Sequence, residues 1–151
     1  MCGIAGLLSP NLQNPQARIF AMTQTLAHRG PDGQGTWIDG AGGIALGHAR
    51  LAIRDLSPTG AQPMHSACQR FVLTYNGELY NADELKTDLA GRVWRGTSDS
   101  EILLEHCVAF GVEKTLKAAN GMFAFALWDR LARKLVLARD RFGIKPLYWA
   151  A

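Results

Sequence analysis

Cys2 is the first residue whose type and place could do chemistry. It directly follows the initiator methionine, and a small second residue normally permits Met1 to be trimmed, which leaves the cysteine with a free α-amino group. Thiol and base then belong to one residue. An amine with a pKa near ~8 can take or relay the proton of a thiol near ~8.5, directly or through water, so no separate histidine is required. Taken alone, however, a cysteine at position two is more often a packed or incidental residue than a nucleophile. Other polar residues have equally plain readings. Asn76-Gly77 in isolation is a hairpin turn, Arg50 a solvated arginine, and Asp99 a first-turn acid favoured by the helix dipole. His28, His48, His65 and His106 lack metal-ligand spacing, so no metal site is expected, and His106 reads as packed on an apolar helical face. Cys107, near that face, and Cys68, in a loop, read as structural or incidental.

The elements that must hold these residues follow from periodicity and punctuation. Cys2 to Leu8 reads as a buried strand stopped by Ser9-Pro10. Asn14-Pro15 resembles an N-cap with proline at the first helical position, and Ile19, Met22 and Leu26 share a face of a helix reaching about Ala27. His28 to Gly35 is too rich in Gly and Pro for regular structure, and strand-like pieces follow at Thr36 to Ile38 and Gly43 to Gly47. Turn chemistry fills Asp55 to Pro63, and a strand from Phe71 to Tyr75 ends at Asn76-Gly77. Asn81 with Glu84 and Ser98 with Glu101 are capping-box signals for two helices, stopped by Gly91 and Gly111. Ile102, Leu103, His106 and Phe110 share one face of the second. Met122 to Trp128 and Lys134 to Arg139 are strands joined by a polar turn, the first covered on both faces. Strands at both ends with helices between them predict an α+β layered domain.

Composition narrows the function classes. Of the 151 residues, 48% are hydrophobic and 19% charged, the ordinary range for one globular domain with its own core. The formal charge of +3 is scattered without a run of one sign, so neither nucleic acid nor a membrane surface is expected as a partner. No apolar stretch approaches the roughly 20 residues that cross a bilayer, and no secretory pattern opens the chain. A cytoplasmic address is the default. Three cysteines without a Cys-x-x-Cys pair argue against a disulfide framework or structural zinc.

The order and spacing of several blocks add a resemblance. Cys2-Gly3-Ile4-Ala5-Gly6 is followed by His28-Arg29-Gly30-Pro31-Asp32, Arg50-Leu51-Ala52-Ile53, Tyr75-Asn76-Gly77-Glu78-Leu79-Tyr80-Asn81 and Ser98-Asp99-Ser100-Glu101. Asn120 to Ala126 and Arg139-Asp140-Arg141-Phe142-Gly143-Ile144-Lys145-Pro146-Leu147-Tyr148 complete the series. Together they closely resemble the class II glutamine amidotransferase domain of glutamine-hydrolysing asparagine synthetases. That resemblance implies the N-terminal nucleophile fold, a four-layer αββα sandwich with two central antiparallel sheets. It also implies that residues 1–151 form one glutaminase domain acting on L-glutamine through a Cys2 thioester.

By the same resemblance, the Asn76 side chain and the Gly77 N–H form the oxyanion hole. Arg50 holds the substrate's α-carboxylate, a task suited to a planar guanidinium fork, and Asp99 holds its α-ammonium. Leu51, Ala52, Ile53 and Arg54 line the same wall chiefly through backbone groups, and Glu78 completes the pocket. No cofactor is expected in this domain. ATP and Mg2+ are expected in a C-terminal synthetase domain of the full-length chain, which would amidate aspartate with the released ammonia and is absent from residues 1–151. The apolar end from Pro146 to Ala151 is what a truncated chain would show, with Leu147 to Trp149 as a last strand and Phe123, Phe125, Trp128, Tyr148 and Trp149 as core aromatics. A homodimer is allowed for. His-Arg-Gly-Pro-Asp and Asp55-Leu56-Ser57-Pro58 also fit relatives in polysaccharide or secondary-metabolite clusters with a different ammonia acceptor. Two further readings are an amidase for another amide, disfavoured by the presence of both Arg50 and Asp99, and a non-catalytic docking or regulatory domain, disfavoured by Cys2.

Overall fold

The computed structural model describes every residue from Met1 to Ala151. The apolar run at the start forms β1 (Gly3–Leu8), which pairs antiparallel with β3 (Ile44–Arg50). β3 in turn pairs antiparallel with β2 (Gly33–Asp39), giving a three-stranded sheet in the order β1-β3-β2. A second antiparallel sheet runs β4 (Met64–His65), β5 (Phe71–Leu79), β6 (Gly121–Asp129), β7 (Lys134–Arg139). Helix α1 (Pro15–Thr25) packs on the first sheet, and α2 (Ala82–Thr87) and α3 (Asp99–Phe110) cover the second, with α4 (Val112–Ala118) against α3. The layers therefore run helix, sheet, sheet, helix, as the resemblance implies.

Strand alternation explains the layering. On β5 and β6 the residues Leu73, Tyr75, Leu79, Phe123, Phe125 and Leu127 join Leu103 and Leu104 of α3 in one apolar cluster. The alternate residues Val72, Ala126 and Trp128 face Ile44 and Leu46 of β3 in another. Successive side chains point to opposite faces of a strand, so β5 and β6 are buried on both sides and read as continuous apolar runs. On the outer face of the first sheet, α1 buries Ile19 and Thr23. It lies so close to β3 that a Cβ at Gly47 would meet Thr23 Oγ1 and Ile19. No helix is long and apolar enough to cross a membrane.

Polar bonds also cross between the sheets. Thr74 Oγ1 donates to the Gly47 carbonyl at 3.2 Å, and His48 Nε2 lies 3.1 Å from the Tyr75 carbonyl. A carbonyl can only accept, so His48 carries its proton on Nε2 and leaves Nδ1 as a buried lone pair without a partner. Burial pushes this imidazole down to about 4; the Tyr75 bond opposes the shift and the Arg50 charge adds to it.

Several sequence expectations are corrected. Asn14 does not cap α1 with its side chain; it takes a left-handed conformation at φ 47°, and the helix ends at Thr25. Met22 faces outward while Thr23 takes the buried position. β5 does not end at Asn76-Gly77 but runs to Leu79, with Asn76 opposite Ala124 and Gly77 opposite Phe123. A Cβ at Gly77 would meet the Met122 carbonyl and Phe123, so this glycine serves close strand approach, not a turn. Asn81 makes no N-cap bond. Its amide instead donates to Glu84 and the Ala118 carbonyl and accepts from Asn120 N, tying α2 to the start of β6. Ser98 does cap α3, accepting from Glu101 N at 3.3 Å. The Glu101 carboxylate turns away to Arg95 N and Gly96 N. The seven-residue α4 follows directly on Gly111, where only a helix stop is predicted. Leu147 to Trp149 is not a strand, and Tyr148 and Trp149 are 89% and 77% exposed instead of core. Chain direction there is set by the Asp140 carboxylate, which draws Phe142 N, Ile144 N and Lys145 N into a tight turn beyond β7.

His48 should make stability depend on pH. Its folded pKa lies below its unfolded value, so the stabilisation is complete above about 6.5 and is lost as pH falls toward about 4. The loss is on the order of 3 kcal/mol across that window. His65 is shifted in the same direction by burial, so the comparison must be with His48→Gln, which can still donate to Tyr75 but does not titrate. Urea unfolding at about pH 7 and about pH 4.5 should show a smaller decline for the variant; parallel declines would remove His48 from the account.

Candidate active site

The β1–β3 ladder carries Gly3 to a position opposite Ala49, which brings Cys2 to the end of β3 and the loop beyond it. There Cys2 Sγ accepts from Leu51 N at 3.3 Å and lies 3.6 Å from the Leu51 carbonyl. Arg29 Nε donates to the Cys2 carbonyl at 3.1 Å. The loop itself is shaped by the Gly-Pro-rich block. Asp32 N donates to the Arg50 carbonyl at 3.0 Å, and Asp32 Oδ2 accepts from Ala52 N at 2.8 Å. His28 to Asp32 is thus a brace for the segment after Arg50.

Cys2 opens into a cavity of about 110 Å³ between the two sheets and the N-terminus of α3. All ten expected residues line it: Cys2; Arg50, Leu51, Ala52, Ile53 and Arg54; Asn76, Gly77 and Glu78; and Asp99. They come from four separate stretches of chain. Ile53 is 73% exposed, so the hydrophobic side chain does not close the pocket. Arg54 Nη1 reaches the Leu79 carbonyl at 3.2 Å.

Arg50 is oriented from behind. Its Nη1 donates to the Ser57 carbonyl at 2.9 Å and its Nη2 to the Asp55 carbonyl, which leaves the rest of the five-donor fork free. The Asp55 carboxylate fixes that turn by accepting from Ser57 N, Ser57 Oγ, Thr59 Oγ1 and Thr97 N. The Ser57 hydroxyl first, then Thr97 N, hold this carboxyl well below the usual carboxylate range. Sequence reasoning placed Asp55 in a turn without foreseeing that it anchors Arg50.

Asp99 is the first residue of α3, where the helix dipole favours an acid. Its Oδ2 accepts from Tyr75 Oη and Leu79 N, both at 2.9 Å, and its Oδ1 has no protein donor. Burial first, and then the Asp99 charge, push the Tyr75 hydroxyl well above its ordinary pKa. It therefore stays a neutral donor. The first-turn role and the position on the cavity wall hold together.

On β5, Asn76 is buried and its amide has no hydrogen-bond partner, and Glu78 likewise makes no side-chain bond. Gln62 Oε1 accepts from Tyr75 N at 2.6 Å. Ten of the twenty lining residues were not assigned to the site by sequence reasoning, among them His48, Gln62, Tyr75 and Lys145. Tyr75 and Lys145 sit inside blocks that were legible; their direction into the cavity was not. Met1 is still attached, so the Cys2 nitrogen is a peptide N–H in this structure, and the Met1 side chain also lines the cavity.

Elsewhere, His106 is packed, with Nδ1 2.8 Å from Thr115 Oγ1. Burial pushes the Cys107 thiol up to about 11, with Thr115 opposing. Cys68 is exposed. No group of three or more His, Cys, Asp or Glu residues is arranged to hold a metal ion.

Comparison with known proteins gives the family. A family model described as a glutamine amidotransferase domain matches residues 1–151. A putative glutamine-hydrolysing asparagine synthetase of Mycobacterium tuberculosis is 41% identical over 99% of this chain and 25% of its own length. Asparagine synthetase 3 of Bacillus subtilis is 40% identical, with 99% and 25% covered, and the amidase chry2 of Gibberella zeae is 38% identical, with 99% and 24% covered. The chain thus spans about a quarter of the length of these relatives. Among solved structures, the glutamine phosphoribosylpyrophosphate amidotransferase of B. subtilis superposes with a TM-score of 0.73 over 93% of this chain and 37% of its own. At 22% identity that likeness speaks for the fold alone. On the family match and these relatives, the chain belongs to the glutamine amidotransferase domain family of the N-terminal nucleophile type and corresponds to the glutaminase domain of asparagine-synthetase-like enzymes.

Proposed function

We propose that this chain hydrolyses the side-chain amide of L-glutamine, with Cys2 as nucleophile once Met1 is removed. The observation that carries the reading is the convergence of a half-buried thiol, a partly free guanidinium and a half-satisfied carboxylate on one small cavity. Arg50 takes the substrate's α-carboxylate with its remaining N–H groups, and Asp99 Oδ1 takes the α-ammonium. The amide carbon then lies toward Cys2. The α-amine accepts the thiol proton, Sγ bonds to the amide carbon, and the carbonyl oxygen becomes an oxyanion received by Asn76 and Gly77 N–H. Collapse breaks the C–N bond, and the amine's proton leaves with ammonia. Water, deprotonated by the same amine, cleaves the thioester to give glutamate and restore the thiol.

The ammonia acceptor belongs to the remainder of a longer protein. A C-terminal synthetase domain that uses ATP and Mg2+ to activate aspartate is the reading favoured by the asparagine synthetases among the relatives. An acceptor other than aspartate is the second reading, since an amidase of Gibberella zeae is nearly as similar as the asparagine synthetases. A cytoplasmic address suits a reaction that needs a free thiol.

Cys2→Ser should preserve the fold and lower kcat for glutamate release by about a thousandfold or more, because a serine hydroxyl is a far weaker nucleophile near neutral pH. Full activity in that variant would exclude Cys2. Arg50→Lys should raise KM for glutamine by about tenfold or more while kcat changes less, since an ammonium cannot copy the planar fork and also loses the bonds that orient it. An unchanged KM would show that the carboxylate is held elsewhere.

A further inference from the structure

Lys145 is a buried cation without an anion. It is 3% exposed, it lines the Cys2 cavity, and its ammonium touches only the Met1 sulfur. No carboxylate lies within ion-pair distance of it. Its placement is built, not incidental. The Asp140 carboxylate accepts from Phe123 N, Phe142 N, Ile144 N and Lys145 N at 2.9 to 3.1 Å, and this turn brings the Lys145 side chain to Met1 and the Cys2 cavity. Burial alone would raise the Asp140 pKa, but these backbone donors hold it below the usual range. They also occupy it, so Asp140 does not neutralise the lysine beside it.

A buried ammonium costs several kcal/mol unless an anion or strong acceptor meets it. A thioether is a weak acceptor, so the Met1 contact does not meet that need. Removal of Met1 deletes even this contact and leaves the ammonium on the wall of the cavity that Cys2 also lines. The other basic side chains at the cavity are bonded to carbonyls or kept neutral. From β3, Arg50 is held by two carbonyls, and His48 is kept neutral by burial. From the loop, Arg54 binds the Leu79 carbonyl, and Asp55 is saturated. On the acidic side, Asp99 of α3 and Glu78 of β5 oppose formation of another anion in the same space. Tyr75 stays neutral, and Arg29 is spent on the Cys2 carbonyl.

We propose that Lys145 is the counter-charge of the Cys2 thiolate: Met1 removal frees its ammonium, which then holds the nucleophile in its charged form against Asp99 and Glu78. This rests on Cys2 being the nucleophile. Lys145 is a positioning residue that sets the pH at which Cys2 becomes reactive, and it adds a second consequence to Met1 removal beyond release of the α-amine. It also gives the Asp140 turn a function at the site.

The test uses the chain with Met1 removed, verified by intact mass, and follows alkylation of the N-terminal peptide by iodoacetamide against pH; reading that peptide separates Cys2 from the exposed Cys68. Lys145→Gln should move the midpoint of the profile upward by about one pH unit, while Lys145→Arg stays near the parent. Glutaminase kcat/KM near neutral pH should fall about tenfold in Lys145→Gln and recover as pH is raised. Lys145→Met, which keeps the length and apolar stem, decides the matter if the glutamine variant fails to fold. Profiles for the glutamine and methionine variants that coincide with the parent would overturn the proposal even if the parent hydrolyses glutamine. A shifted profile in a chain that never releases glutamate would uphold the counter-charge and refute the glutaminase reading instead.

Discussion

The pairing of β1 with β3 is the constraint on which the rest of the site depends. A chain terminus ordinarily frays, because few bonds hold it. Here six residues from Gly3 to Leu8 are matched one to one with Ala49 back to Ile44, and each ladder bond contributes roughly 0.5–1.5 kcal/mol. That zipper places the second residue of the protein inside the molecule and against the backbone of Leu51, instead of in solvent. α1 locks it from outside by close packing on Gly47. Thr74 and His48 lock it from inside by bonding β3 to β5. A shift of one residue would turn Cys2 to the opposite face.

Around that fixed point, satisfied and unsatisfied polar groups divide the labour. Asp55, Asp140 and Glu101 have their carboxylates filled by backbone N–H donors and serve as staples for turns. Arg50, Asn76, Glu78 and Asp99 line one cavity with bonding capacity left over. Polar groups with bonding capacity to spare gathered on one cavity, beside a thiol, are the pattern of a binding site. Among the unused groups are part of a fork of donors and one carboxylate oxygen, which together suit a ligand bearing a carboxylate and an ammonium.

Much of this was legible in the residue order. Apolar runs bounded by turn residues located β1, β6 and β7, and the Ser98 cap located α3, because those signals depend only on neighbours in sequence. What escaped depended on contacts across the fold. Asn76-Gly77 looks like a turn, yet it lies mid-strand because β6 approaches too closely for any Cβ there. Asn81 looks like a cap, yet its amide is drawn to Asn120 thirty-nine residues away. Lys145 stands just before the apolar end that reads as a strand, and only the Asp140 turn reveals that it lines the Cys2 cavity. The block His28 to Asp32 was recognisable by resemblance, but its physical task, bracing the loop after Arg50, lies in a bond between Asp32 and Ala52, twenty residues apart.

The central claim is that Cys2, with a free α-amine, forms the covalent bond to substrate. It is tested most directly by mixing the chain with glutamine, quenching in acid and weighing the N-terminal peptide in a sample containing both Met1-bearing and Met1-free molecules. A γ-glutamyl adduct on Cys2 of the Met1-free molecules alone is the predicted result. Adducts of equal abundance on Met1-bearing molecules, or an adduct on Cys68 or Cys107, would contradict it.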